Sequence, residues 1–276
     1  MPAEYNELSP AKINLFLKIV SKREDGYHNL RSGITLINLF DEVSAEKSSK
    51  FQVVYKGQFA PPNNKFDDCI VEKIFSTFKL IKPNYCFTIQ KNIPVQSGLG
   101  SASSNAAAVI RILQKLKYNQ IKTINFKKIG SDVPFFIQNQ DALVRGIGDI
   151  TTKQIFPKYY FLLVKPKQNC STKEMYNEIN INEKNFNINY DTDKITEYDN
   201  GNDFELLVDN KYAEISSILK FMKSFPEVIF SRLTGSGSCI YSTFEKKDSA
   251  EKALLIFKER FPEHWSIVCE NNIIYK

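Results

Sequence analysis

The clearest periodicity in the chain is a period of two over AKINLFLKIV. Ala11, Ile13, Leu15, Leu17 and Ile19 fall on one side, and Lys12, Asn14, Phe16 and Lys18 on the other. This predicts a strand that carries Lys12 and Asn14 on one face. EDGYHN follows, with Asp25-Gly26 as a strong turn signal. Further strands are predicted within SGITLINLFDEV, FQVVYKG and NYCFTIQKN. Pro61-Pro62-Asn63-Asn64 interrupts the pattern before a helix from about Asp68 to Leu80. A second helix, with a stripe of Ala106, Ile110, Leu113 and Leu116, ends near Leu116. The apolar run YYFLLVKP then opens a second half with a strand. NDFELLV, YAEISSILKFMK and DSAEKALLIFKERF read as helices, and SRLTGSGSCIYSTF as strand, glycine turn, strand. The Asn-rich stretch from Glu178 to Asp191 reads as a loop or a helix with a frayed end. Strands and helices alternate in both halves, so an α+β chain of two domains is expected, residues 1–150 and 151–276. No internal repeat is visible.

Composition adds limits rather than direction. A chain of 276 residues with 42% hydrophobic and 25% charged positions is long enough to bury a sizeable core. The net charge of +6 and pI near 8.9 suit anionic small molecules. The lysines are scattered, with no basic tail or dense block, so nucleic acid is a minor reading. Five cysteines without a CxxC pair, beside only His28 and His264, argue for reduced thiols rather than a zinc cluster. The first residues lack a basic-then-apolar leader and no stretch is long enough to span a bilayer, so a cytoplasmic, non-membrane protein is expected.

Three short segments carry candidate chemistry. IPVQSGLGSASSNAA joins a strand end to a helix through small residues, which permit close backbone approach to an anion at the helix start. Ser103 or Ser104 can add a hydroxyl toward a magnesium ion. Neither G-x-x-x-x-G-K-[ST] nor G-x-G-x-x-G is satisfied, because no lysine follows the second glycine and Ser103 stands at the last position. The segment alone fits a phosphate loop and a capped core helix equally. In IGSDVPFFI, Pro134 biases Val133 toward an extended conformation, which puts Asp132 at an element end as helix cap, general base or metal ligand. LTGSGS, from Leu233 to Ser238, is a second glycine loop or a hairpin turn.

Taken together, PAKINLFLKI, DGYHNL, IPVQSGLGSASSNAA, GSDVPFF and LTGSGSCIY resemble the GHMP kinase superfamily, in order and at suitable spacing, from about Pro10 to Tyr241. The pair PAKINLFL and DGYHNL resembles its branch acting on a cytidyl diphospho-methylerythritol in the non-mevalonate route to isoprenoid precursors. The resemblance implies an N-terminal domain with a left-handed βαβ unit, a ferredoxin-like C-terminal domain and an active site in the interdomain cleft. It implies transfer of the ATP γ-phosphoryl group, with Mg2+, to the substrate's 2-hydroxyl by a monomer or homodimer. Carried over position by position, it implies catalytic roles for Lys12 and Asp132. Asn14, Tyr27, His28 and Tyr176 would bind substrate. Pro94, Gly98, Leu99, Gly100, Ser101, Ala102, Ser103, Ser104 and Asn105 would form the ATP loop.

The chain departs from the family pattern where Gln96, Ser97, Ser101 and Ala102 replace common glycines. It departs again at Asp68, where an asparagine often opens a helix near the nucleotide. Any of the four that needs a positive φ costs on the order of 1 kcal/mol. Two alternatives stay open: a homoserine- or mevalonate-type relative, against which Tyr27-His28 speaks, and a catalytically silent nucleotide sensor, which has no chemical need for Lys12 with Asp132.

Overall fold

The computed structural model describes residues 4–66, 68–118, 121, 125–179 and 201–272. The described residues fall into two compact units, neither one continuous segment. The first draws on 1–11, 39–95 and 100–140, the second on 12–38, 96–99 and 141–276. Two long strands, β1 (Tyr5–Lys22) and β2 (His28–Lys47), contribute residues to both. The alternation over residues 11–20 therefore lies inside a longer strand than the pattern predicts.

In the first unit, β4 (Tyr85–Gln90) is flanked by β3 (Gln52–Lys56) and the second half of β2. β4 is antiparallel to β2, with Val43 opposite Ile89, and parallel to β3, with Tyr55 opposite Ile89. Parallel neighbours need a crossover, and α1 (Ile70–Thr77) supplies it, completing a βαβ unit. This helix is shorter than its pattern predicts. It ends at Phe78, beyond which Lys79 has φ 52°. Val43, Ala45, Phe87 and Ile89 of the sheet pack with Val71, Ile74 and Phe75 of α1 and with α2 (Ser101–Lys115). Ala106, Ala107 and Ala108 are fully buried, since their small side chains let α2 approach closely. A 3-10 turn at Phe126–Lys128 leads to α3 (Val133–Gln138). Val133 opens this helix rather than staying extended: Pro134 stands in the first turn, where a missing N–H costs nothing.

One buried cluster braces the chain on both sides of the glycine-serine loop. Asp41 Oδ1 accepts from the amides of Asn92, at 2.7 Å, and Ile93, at 2.8 Å. Its Oδ2 accepts from Lys91 Nζ, from Ser101 Oγ at 2.7 Å and from Asn105 Nδ2 at 3.0 Å. Lys91 Nζ also donates to Ser101 Oγ and to Asn105 Oδ1. Burial pushes the Lys91 ammonium below its ordinary pKa, and the Asp41 charge opposes that.

The second unit is built on a four-stranded antiparallel sheet in the order β10 (Trp265–Glu270), β7 (Tyr160–Lys165), β9 (Ile240–Phe244), β8 (Phe230–Leu233). α5 (Glu205–Lys211), α6 (Ala213–Met222) and α7 (Lys247–Arg260) cover it through Val208, Ile215, Ile218, Met222, Ala253 and Phe257. β5 (Ala142–Gly146) pairs with the first half of β2 and with β6 (Ile150–Lys153). The short helix α4 (Thr172–Glu178) is capped by Ser171, whose hydroxyl accepts from the Glu174 amide. The hydrophobic pattern gave no signal for α4, β6 or β10. Of the Asn-rich stretch, residues 180–191 lie outside the described residues.

Two predictions follow from the loop and its brace. Gln96 is the one of the four replaced glycine positions with a positive φ, at 52°. Gln96→Gly should raise stability by up to about 1 kcal/mol in urea denaturation, and a loss would contradict the strain. Asp41→Asn leaves Lys91 buried without its counter-charge and should cost about 3–5 kcal/mol. Adding Lys91→Met should recover part of that loss. A double variant no more stable than Asp41→Asn alone would show that the stranded charge is not the cause.

Candidate active site

In the second unit, β1 is buried on both faces from Lys12 to Leu17, so the polar residues of that stretch lie inside the protein. Lys12 is 4% exposed and Asn14 3%, although a lysine alternating along a strand is ordinarily a solvated one. Lys12 Nζ donates to Asn14 Oδ1, and Asn14 Nδ2 donates to Ser32 Oγ at 2.8 Å. The amide of Asn14 donates to Thr234 Oγ1 at 3.2 Å, and its carbonyl accepts from Tyr241 Oη at 2.9 Å. The amide of Lys12 donates to the Leu99 carbonyl at 3.0 Å, so the loop is stitched directly to the strand.

The two glycine loops meet beside Lys12. A Cβ on Gly98, at φ 74°, would lie 2.2 Å from the Thr234 carbonyl oxygen, so only glycine permits this approach. A Cβ on Gly235 would sit 3.3 Å from Lys12 Nζ and 3.2 Å from the Gly98 carbonyl oxygen. LTGSGS is therefore both a hairpin turn, between β8 and β9, and a wall beside the lysine. Asn202 holds it by donating to the carbonyls of Leu233 and Gly235, each at 2.8 Å.

Elsewhere in this unit the His28 and Tyr176 rings lie 5.5 Å apart at 35°. His28 is buried, and its Nε2 is a buried ring nitrogen without a hydrogen-bond partner. Burial, with the Lys22 charge adding to it, pushes the imidazole below its ordinary pKa, so it is neutral at pH 7. Tyr27 is 62% exposed, held at its amide by Asp25 Oδ1 at 3.1 Å.

In the first unit, Gly100, at φ 76°, precedes α2 without a side-chain cap, and Ser101 and Ala102 are already helical. Pro94 is buried, as is the whole Leu99 side chain. Ser104 is fully buried, its hydroxyl bonded by Ser9 Oγ at 2.9 Å. Asn105 spends its amide on Ser9, at 2.7 Å, as well as on Asp41 and Lys91. Ser103 is half-buried, and a Cβ on Gly130 would lie 3.3 Å from its hydroxyl. This places Ser103 against the turn that carries Asp132. Asp132 sits at the N-cap position of α3, yet its side chain makes no capping bond. Its commonest structural use is therefore not the one made of it here. The same unit has a cavity of about 640 Å³ lined by residues including Tyr55, Asn64, Phe66 and Asp68.

Sequence reasoning passed over Asp41, Lys91, Ser9, Ser32 and Thr234. Strand parity is the signal that could have found the first pair. Asp41 shares its phase with buried Val43 and Ala45, and Lys91 with buried Phe87 and Ile89. Opposite charges on two inward-facing positions of paired strands point to a buried ion pair. Lys91 also bears on the missing loop lysine, since its three acceptors lie inside the unit.

The chain matches the model of the GHMP kinases N terminal domain over residues 68–140 and that of the GHMP kinases C terminal domain over 187–263. It is 30% identical to the 4-diphosphocytidyl-2-C-methyl-D-erythritol kinase of Syntrophus aciditrophicus, covering 96% of this chain and 98% of that one. It is 34% identical to the protein of the same name from Francisella philomiragia, over 86% of each chain. A crystal structure of 4-(cytidine 5'-diphospho)-2C-methyl-D-erythritol kinase shares the fold with a TM-score of 0.77 and 23% identity, covering 98% of this chain and 100% of that one. With the buried Lys12–Asn14 pair and the two facing glycine loops, these likenesses lead to one conclusion: the chain belongs to the GHMP kinases, in the 4-diphosphocytidyl-2-C-methyl-D-erythritol kinase family.

Proposed function

We propose that the chain transfers the γ-phosphoryl group of ATP to the 2-hydroxyl of 4-diphosphocytidyl-2-C-methyl-D-erythritol, in the non-mevalonate route to isoprenoid precursors. Residues 1–150 act as its N-terminal and 151–276 as its C-terminal domain. The observation that carries this reading is the buried Lys12–Asn14 pair, since a chain with only a binding role has no use for an ammonium held there. The names of its relatives select the substrate.

Each residue has a task that its surroundings support. Asp132 takes the proton of the tertiary hydroxyl as general base, an effect worth roughly 10²–10⁴-fold. Its uncommitted side chain at the start of α3 suits that role. Lys12 supplies positive charge where the transferring group is negative, and Asn14 orients the acceptor. The loop has φ positive at Gln96, Gly98 and Gly100 and at neither residue between, an alternation that turns backbone amides into an anion-binding concavity. The first-turn amides of α2 extend it. Ser104 and Asn105, engaged inside the unit, shape the loop rather than touch phosphate. Magnesium, which neutralises charge on the phosphates, is held mainly by phosphate and water in such sites. Ser103, half-buried beside the Asp132 turn, is the hydroxyl we assign to it.

His28 reads the cytosine edge through its neutral ring, and Tyr27 and Tyr176 pack on the base. Binding of the cytidyl substrate then depends on pH. His28 titrates below the ordinary imidazole value of about 6.5, so it is neutral above that and charged only in more acidic solution. Protonation removes its acceptor nitrogen.

Phosphorus NMR with ATP and magnesium, run beside homoserine and mevalonate, tests the reading. Phosphorylation of the cytidyl substrate alone is expected. Turnover of either other alcohol instead, or of none, would overturn it. Asp132→Asn should keep ATP binding and lose at least about a hundredfold in kcat, whereas near-normal turnover would remove the general base. The KM for the cytidyl substrate should be flat from pH 8 to 7 and climb only below the ordinary imidazole value of about 6.5, and His28→Gln should abolish the climb. A climb that survives the substitution would assign it to another group.

A further inference from the structure

The side chain of Asn14 is amphoteric: one end donates and the other accepts, and only one orientation serves Lys12. An ammonium has three hydrogens and no lone pair, so it needs Asn14 Oδ1 and is repelled by Nδ2. Something must set which way this amide points, because it is buried away from water, which would otherwise satisfy either orientation. Its backbone cannot do so. The bonds from the Asn14 amide to Thr234 Oγ1 and from Tyr241 Oη to the Asn14 carbonyl fix the main chain, and the terminal amide itself receives from Thr234 Oγ1 only a long bond to Oδ1, at 3.5 Å, whose hydrogen the Gly98 carbonyl shares at the same distance.

Ser32 supplies the missing direction. It is fully buried on β2, and its hydroxyl donates to the Phe16 carbonyl oxygen at 2.5 Å. A carbonyl oxygen can only accept, so the single hydroxyl hydrogen is committed to Phe16. What Ser32 then offers Asn14 at 2.8 Å is a lone pair, which only Nδ2 can use. The polarity runs one way along the chain of groups, from a backbone carbonyl that cannot change sense, through Ser32 and Asn14, to Lys12. We infer that Ser32 is a positioning residue for phosphoryl transfer: it fixes the sense of the Asn14 amide and through it the place of the Lys12 ammonium. This rests on the reading of Lys12 and Asn14 given above.

In Ser32→Ala the amide loses the acceptor that fixes Nδ2, which is then buried unpaired, and besides Lys12 itself only the long bond from Thr234 Oγ1 to Oδ1, at 3.5 Å, still favours the native orientation. The orientation that presents Nδ2 to the lysine becomes accessible, and Lys12 leaves its place in that fraction of molecules. A displacement of about an ångström at such a group costs on the order of a hundredfold. The expected result is a fall in kcat of about tenfold to a hundredfold, with the KM for ATP within about twofold of wild type, since the phosphate loop is untouched. Removing a small side chain leaves the fold in place, and the melting temperature is recorded for every variant.

A double-mutant cycle separates positioning from packing. If Ser32 acts through Asn14, Ser32→Ala should lower kcat in the wild-type background and change it little in an Asn14→Ala background. An equal fall in both backgrounds would overturn the inference in favour of a packing role. Lys12→Met, assayed alongside, distinguishes this inference from the reading beneath it. If Lys12→Met abolishes turnover while Ser32→Ala leaves kcat unchanged, the inference fails and the assigned role of Lys12 stands. If Lys12→Met turns over normally, the role of Lys12 fails and the inference falls with it.

Discussion

A single carboxylate holds the first unit in the shape that its loop requires. Asp41 has no exposure to solvent, and five donors converge on its two oxygens. Two of them are backbone amides just before the glycine-serine loop, and two belong to Ser101 and Asn105 at the start of α2. The chain is therefore pinned on both sides of the turn, whose middle is held in addition through the carbonyls of Ser97 and Leu99. An ionised carboxylate with this many donors tolerates burial because the bonds replace its lost hydration. The cost is rigidity. Neither Asp41 nor Lys91 can be changed alone without leaving a buried charge.

The second unit also buries a lysine. β1 places the Lys12 ammonium inside the protein, where Asn14 Oδ1 accepts from it and the glycine turn at Gly235 lies beside it. The loops approach the strand closely because Gly98 and Gly235 have no side chains. Lys91 is structural and saturated, whereas Lys12 is the lysine assigned to chemistry.

Much of this was legible in the chain. The period-two pattern over residues 11–20 put Lys12 and Asn14 on one face, and the resemblance drew attention to Asp132 at an element end. The pattern failed where burial is two-sided, because alternation implies a wet face that β1 lacks. It failed at β10, where the pairing with β7 supplies what the sequence of WSIVCE does not. The proline rule placed Val133 outside the helix, but a proline in the first turn removes no intrahelical bond, and α3 begins there. Concern over the missing glycines was warranted at Gln96 alone, since Ser101 and Ala102 are helical and Ser97 has no positive φ. Ser32 could not be found at all from the sequence. Its meaning depends on the direction of a hydrogen bond to Phe16, which has no trace in residue type.

In the proposed function, backbone amides around Gly98 to Ser103, with Asp41 bracing both flanks, bind the phosphates of ATP without a loop lysine. Hydrogen–deuterium exchange of this segment with and without ATP and magnesium tests it most directly. The account predicts that exchange at Gly98–Ser103 slows on adding nucleotide, and that Asp41→Asn loses most of this protection under conditions where it stays folded. Unchanged exchange in the wild-type loop on saturation with ATP would contradict it.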